Sequence, residues 1–358
     1  MTPDNAVGRG GREGVRSQTT AVPGAWGARR GGGRAGGRGA ERSMVPPAEF
    51  TSYYGRPVVK PSPWKGEIPA YLFAGGLAAG SSLLAAGADL TDRPALRRSG
   101  RLAALGALTF SMGALVRDLG KPSRFLNMLR VAKLTSPMSV GTWILSAYGP
   151  FCGAAAAGEV VEILAPGAHV GPVRVAALTR PAGLVAALFA PPVASYTAVL
   201  LADTSTPSWH AAYRELPFVF VGSAAAAASG LALVTAPLAE NGPARRLAVG
   251  GAALDLLMEH RMERSMGLTA EPLHQGKAGR LMRAAKVLTV AGAAGTLLAG
   301  RSRTAAVVSG AALLAGSWCT RFGVFEAGQQ SARDPRYTVV PQRERLEREG
   351  PVRYRPED

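Results

Sequence analysis

Long runs of apolar residues fill the middle of this 358-residue chain, and they limit what it can fold into more than any other feature. Runs of eighteen or more residues with few charges are too long for a soluble core, and one such helix crosses the roughly 30 Å of hydrocarbon in a bilayer. The mean hydropathy is only +0.10 because it averages these runs with polar, Arg-rich ends at residues 1–65 and 327–358. The sequence therefore predicts an all-α integral membrane protein.

We expect about eight transmembrane helices within residues 67–326. Their predicted bounds are 67–88, 100–117, 138–164, 178–201, 216–237, 244–263, 280–300 and 304–325. The sixth is the weakest, because its apolar stretch is short and charged residues follow closely; an interfacial amphipathic helix is the alternative and would leave seven spans. Small residues at 76–80, which form a GxxxG, and at 224–228, a run of alanines, predict close helix packing in lipid.

The ends of the chain predict surface segments and an orientation. Residues 1–44 are Gly- and Arg-rich and should be disordered, residues 45–66 should lie along the membrane surface, and residues 327–358 form a polar C-terminal tail. The loops on the side of the tails carry eleven Lys and Arg against ten on the opposite side, so they hardly decide the orientation. An Arg-rich tail is hard to translocate, which predicts that both tails are cytoplasmic.

Charge and metal-ligating residues exclude several classes of function. The net charge of +17 is typical of nucleic-acid binding, but the arginines lie in tails and short loops, and only 6% of residues are aromatic. The two cysteines, Cys152 and Cys319, cannot ligate an Fe–S cluster or a four-ligand zinc site. The four histidines show no paired arrangement for haem. We therefore expect no metal or haem in this chain, so any redox metal belongs to a partner.

The connection between the second and third predicted helices is the most informative segment. It reads RDLGKPSRFLNMLR from residue 117 and continues as KLTSPMSVG from residue 133. Its basic residues predict a docking surface for a partner protein, and a loop that touches anionic headgroups is the alternative. The candidates are Arg117, Lys121, Arg124, Arg130 and Lys133.

These motifs resemble those of the NrfD/PsrC family, the integral membrane subunits of polysulfide-reductase-type complexes. The segments DLGKPSRFLNMLR and TSPMSVGTW carry the resemblance, together with IPAYLFAGGLAAG from residue 68 and YTAVLL from residue 196. They occur in the order of the family, and the resemblance covers roughly residues 64–326. The C-terminal extension resembles that of actinobacterial-type members.

The resemblance implies a function that the residues alone do not give. Such subunits have eight helices and bind menaquinone or another quinone without a covalent bond. They exchange electrons with a four-cluster ferredoxin-like Fe–S subunit, which connects to a molybdopterin catalytic subunit. This implies a quinone-interacting anchor in a bacterial plasma membrane, with quinone reductase or quinol dehydrogenase activity only when its partners are present.

The resemblance also implies residues for the quinone site. Tyr196 matches a tyrosine of the family's fourth helix whose hydroxyl can hydrogen-bond a quinone carbonyl, although a buried phenol can equally bond a neighbouring helix. The other headgroup contact falls near the start of the first helix, at Glu67 or Tyr71. Asp118 and Trp143 are further candidates by motif position, with structural roles as the alternative.

Quinone reduction consumes two protons, so carboxylates within the predicted spans are candidate relay groups. Intramembrane carboxylates are costly and usually face a bundle interior or water. Glu159 and Glu162 lie near the end of the third predicted helix. Asp255 and Glu259 lie four apart, on one face of the sixth. All four are predicted relay residues, and for the second pair a solvated end of an amphipathic helix is the alternative.

Two other classes of function stay open on the sequence. A secondary transporter would show internal repeats and broken helices at the middle of the membrane, and residues 191–192 (Pro-Pro) could break the fourth helix. A structural anchor would recruit the soluble partners without binding quinone.

Overall fold

The computed structural model of the chain describes residues 57–121, 123–170 and 173–349. The predicted disordered tail at 1–44, most of the predicted surface segment and the last residues of the chain lie outside this range. The described part is almost entirely helical, with one two-stranded hairpin.

Eight helices of twenty residues or more follow one another in the described chain. They are α1 (Glu67–Leu90), α2 (Pro94–Asp118), α4 (Pro137–Leu164), α5 (Val175–Ala202), α7 (Leu216–Thr235), α8 (Gly242–Met266), α9 (Gly276–Gly295) and α10 (Arg303–Arg333). The shorter elements are α3 (Arg124–Met128), β1 (His169–Val170), β2 (Val173–Arg174), α6 (Pro207–Ala211), a 3-10 helix (Gly267–Leu273) and α11 (Arg336–Glu349).

Six of the described helices are long and apolar enough to cross a membrane: α1, α2, α4, α5 from Thr179, α7 and α10. The all-α, multi-pass membrane fold predicted from the sequence is thereby confirmed. The helices α8 and α9 carry more charge, so the number of eight crossings stays a prediction.

The long helices form two groups. The first contains α1, α2, α4 and α5, and the second contains α7, α8, α9 and α10. The groups meet where α1 and α5 pack against α7. A Cβ atom at Gly80 would lie 2.7 Å from the Ala224 carbonyl oxygen and from the Ala228 Cβ, so the GxxxG of α1 and the alanines of α7 allow this contact.

Successive long helices pack side by side, so every second one ends at the end of the bundle where α1 begins. We call this the tail-bearing end, and the other the far end.

Ser136 accepts a hydrogen bond from the Ser139 amide and caps α4, while Ser302 accepts one from the Ala305 amide and caps α10. These caps fix where the two helices begin.

The helix α2 begins at Pro94, six residues earlier than predicted. The prediction was late because the first turns carry arginines, which the sequence alone placed in a loop. Arg97 and Arg101 lie on this helix and pair with Asp89 and Glu159, which neutralises their charge.

The C-terminal segment also departs from the polar tail predicted from residue 327. Helix α10 continues to Arg333, and Tyr337 is buried against the 3-10 helix. The Tyr337 hydroxyl donates to Glu271 over 3.2 Å, and burial raises the pKa of this phenol. The start of the segment is therefore part of the folded bundle.

Candidate functional site

Two tyrosines meet inside the first group of helices near the tail-bearing end. Tyr71 lies one turn into α1, and Tyr196 lies in the last third of α5. Both side chains are buried, and their hydroxyl groups are in direct contact. We call them the tyrosine pair. One hydroxyl hydrogen bridges the two oxygens, which leaves the second free to donate to another group.

A glycine on α4 allows Tyr196 to reach this position. A Cβ atom at Gly141 would overlap the ring of Tyr196, so only glycine lets the ring lie against the α4 backbone. The backbone of α1 is also held, because the Ser111 hydroxyl of α2 donates to the Tyr71 carbonyl oxygen over 3.1 Å.

A cavity of about 640 Å³ lies beside Tyr196, between α4, α5 and α7. Its walls are Pro137, Val140, Ile144, Pro191, Pro192, Ser195, Tyr196, Val199, Pro217, Phe218 and Val221. They are almost entirely apolar, and a volume of this size is typical of a small-molecule site. We call it the lateral cavity.

Glu67 lies at a different cavity from the one beside Tyr196. Arg117 Nε is 3.4 Å from Glu67 Oε1, and Asp118 is close enough to Glu67 for their charges to interact. Glu67 and Arg117 line a cavity of about 680 Å³ between α1 and α2, whose other walls include Ala70 and Phe110. The structure thus brings Tyr71 and Tyr196 into contact with each other. It places Asp118 near Glu67 as a second pair.

Trp143 belongs to neither cavity. Its side chain is 45% exposed, and its Nε1 donates to the Val131 carbonyl oxygen over 3.3 Å. It therefore ties α4 to the connection that precedes it.

Residues 58–245 match the family described as polysulphide reductase, NrfD, which is more than half of the chain. The chain belongs to the NrfD family. A search of curated proteins gives no match. NrfD proteins are membrane subunits of molybdopterin oxidoreductase complexes, and the helical fold of this chain is that of a membrane protein.

The first two relay candidates of this NrfD protein lie at the far end. Glu159 is 2% exposed, and its Oε1 pairs with Arg97 Nε at 2.7 Å and with Arg101 Nη1 at 3.0 Å. Glu162 is less buried and, with Glu159, lines a charged cavity at this end. This ion-paired cluster, which also includes Asp89 and Arg180, was missed from the sequence, because its members come from four different helices.

The other two relay candidates are buried in the second group. Asp255 and Glu259 are 2% and 1% exposed, so α8 does not end in a solvated polar face at this position. Lys286 Nζ on α9 is 3.4 Å from Glu259 and 2.8 Å from Glu263. His260 is exposed and does not join them.

Sequence reasoning also missed Arg321, which is fully buried on α10. Its Nη2 donates to the Phe220 carbonyl oxygen over 2.6 Å, its guanidinium lies 3.7 Å from the centre of the Phe220 ring, and its charge interacts with that of Asp255. A lone arginine within an apolar run was the available signal, since such residues are seldom tolerated in a span without a role.

All five predicted docking residues are exposed at the tail-bearing end. Arg124 begins the short helix α3, and its Nη1 donates to the Leu119 carbonyl oxygen over 3.2 Å. This bond holds the connection in a defined shape beside the end of the bundle that contains the tyrosine pair.

Proposed function

We propose that this NrfD protein is the quinone-interacting membrane anchor of a molybdopterin/Fe–S oxidoreductase complex. The observation that carries the proposal is the tyrosine pair, which combines a free hydroxyl hydrogen with the apolar lateral cavity next to Tyr196. The cavity suits an apolar ring, and the hydroxyl suits a carbonyl oxygen of that ring.

The residues have separate roles in this proposal. A bound quinone, menaquinone or another, supplies the two-electron and two-proton chemistry. Tyr196 would donate a hydrogen bond to its carbonyl oxygen, Tyr71 would hold the Tyr196 hydroxyl in place, and the walls of the lateral cavity would exclude water. Glu67 and Asp118 would act at the neighbouring cavity as charged groups near the headgroup region, and Trp143 would position α4.

The proposed partner subunits would bind at the tail-bearing end. We propose that a four-cluster ferredoxin-like Fe–S subunit docks on the exposed basic residues between α2 and α4, which lie at the same end as the tyrosine pair, and that a molybdopterin catalytic subunit binds the Fe–S subunit. Both tails would then be in the cytoplasm of a bacterial plasma membrane, together with these partners.

A proton route is part of the proposal. Asp255, Glu259 and Glu263 follow one another at intervals of one helical turn on α8, and the row runs from the tail-bearing end to the middle of the helix. It ends at Arg321, whose Nη2 would lie 3.0 Å from a Cβ atom at Gly76 on α1. We propose this row as the relay on the tail-bearing side, and Glu159 and Glu162 as acidic groups of a separate site at the far end.

The replacement Tyr196→Phe in the native complex tests the quinone site. Removal of one hydrogen bond worth about 1 kcal/mol should lower quinone-linked turnover about fivefold, while the complex still assembles. Tyr213→Phe is the matched control, because Tyr213 is 53% exposed and lies outside the lateral cavity. Turnover that is unchanged in Tyr196→Phe would support a structural anchor instead.

A secondary transporter has less support. Helix α5 passes through Pro191 and Pro192 without a break, and the Ser195 hydroxyl donates to the Pro191 carbonyl oxygen over 3.0 Å. A continuous helix here lacks the unwound segment that transporters use to bind substrate.

A further inference from the structure

A charged cavity of about 260 Å³ lies at the far end of the first group, at the opposite end of the bundle from the tyrosine pair. Its walls include Asp89, Arg97, Arg101, Glu159 and Arg180, which come from α1, α2, α4 and α5. Several water molecules fit in such a volume. We call it the outer cavity.

Two buried atoms of the outer cavity lack hydrogen-bond partners in the described part of the chain. They are Arg101 Nε and Glu159 Oε2, on side chains that are 5% and 2% exposed. Arg98 Nε lies 3.7 Å from Glu159 Oε2. Buried polar atoms without protein partners are normally satisfied by ordered water, because an unsatisfied group is costly.

A second, smaller cavity continues from Arg101 towards the middle of the bundle. It has a volume of about 10 Å³, and Arg101, Ser82 and Cys152 are among its walls. This is near the minimum that holds one water molecule. Beyond it, the Ser82 and Tyr148 hydroxyls are 2.7 Å apart, and Tyr148 donates to the Ala78 carbonyl oxygen over 3.0 Å. We call it the inner cavity.

We propose that the outer and inner cavities form a hydrated inlet, which admits water from the far face as deep as Tyr148. Arg101 belongs to the walls of both cavities and is the residue at which they join. Tyr148 and Ala78 lie near the middle of α4 and α1, so the inlet reaches about half of the bundle's depth. The inlet does not depend on the quinone site.

The two cysteines of the chain allow a direct test of this inlet. X-ray hydroxyl-radical footprinting of the full chain in phosphatidylethanolamine/phosphatidylglycerol nanodiscs oxidises side chains next to water. Cys152 is 2% exposed, whereas Cys319 is only partly buried at the middle of α10. We expect Cys152 to be oxidised at least threefold faster than Cys319, against the order of their exposure, and Tyr148 to be labelled as well.

A plug of the inner cavity should abolish this labelling. Ala155→Val adds two methyl groups to its wall, and we expect at least a fivefold loss of Cys152 oxidation. Ala154→Val is the matched control, because Ala154 is exposed on the same helix and should leave the rate unchanged. If Ala155→Val does not fold, Ala186→Val fills the same cavity from α5.

Two results would overturn the inlet. Slower oxidation of Cys152 than of Cys319 in the unaltered chain would show that the cavities are dry and that the arginines and carboxylates only hold the helices together. Full oxidation of Cys152 in the plugged variants would show that water arrives by another route. Neither oxidation rate depends on quinone binding, so these results do not test the quinone site.

Discussion

At the scale of single residues, the contact between the Tyr196 ring and the α4 backbone decides the geometry of the candidate site. Tyr196 meets Tyr71 because its ring lies against α4 at a residue without a side chain. The site therefore depends on Gly141 as much as on the two hydroxyl groups. Gly141 itself has no polar side chain that could take part in the chemistry.

Gly141→Ala should consequently lower quinone-linked turnover of the native complex by tenfold to a hundredfold. The new methyl group would displace the Tyr196 ring, and a misplacement of about 1 Å can cost about a hundredfold in rate. Gly149→Ala on the same helix is the control, since the nearest atom to its new Cβ is 3.9 Å away. Equal turnover in the two variants would show that the position of Tyr196 does not matter for activity.

Helix periodicity decides which charges meet at the scale of secondary-structure elements. The acidic residues of α8 recur every four positions, so they face one side, where α9 supplies Lys286. Asp255 and Glu259 are held in the interior of the bundle by this packing. The acidic residues give α8 one polar face within a group of mostly apolar helices.

Glu259→Gln tests whether the row carries protons. The amide cannot take up a proton under these conditions, and we expect quinone-linked turnover to fall about tenfold or more, with assembly intact. Glu326→Gln is a suitable control, because Glu326 also pairs with a lysine, Lys277 Nζ at 2.6 Å, but its side chain is 30% exposed. Normal turnover in Glu259→Gln would remove α8 from the proton route.

The number of crossings is a property of the whole molecule. Helices α8 and α9 have 25 and 20 residues, about 37 and 30 Å at 1.5 Å per residue, and are long enough to span. Helix α9 runs antiparallel to α10, with Gly316 against Thr289 and Gly292 against Leu313. This packing favours eight crossings over six.

Alkaline phosphatase fusions measure both the number of crossings and the orientation, because the enzyme is active only outside the cytoplasm. We expect fusions after Gln275 and after Asp358 to be inactive, and a fusion after Gly300 to be active. Activity after Gln275 together with inactivity after Asp358 would place α8 and α9 at the interface and leave six crossings. Activity after Asp358 would place the C-terminal tail outside the cytoplasm, against the predicted orientation.

The length and polarity of the apolar runs were enough to predict the membrane class, because bilayer thickness sets the length of a span irrespective of its neighbours. The GxxxG and the alanine run likewise predicted close packing, and α1 does pack on α7 there. The motifs at 68–80, 118–143 and 196–201, taken in their order, were enough to predict the NrfD family, which the match over residues 58–245 confirms. These properties are local, so they can be read along the chain.

Only the tertiary structure decided which polar groups meet. Asp89, Arg101 and Glu159 lie on three helices, and nothing in their spacing along the chain predicted their pairing or the helical position of the arginines. The same holds for Arg321 beside Phe220 and for the pairing of Glu67 with Arg117. Contacts between distant helices depend on how small residues let the backbones approach, and that is a property of the packed bundle, not of any one segment.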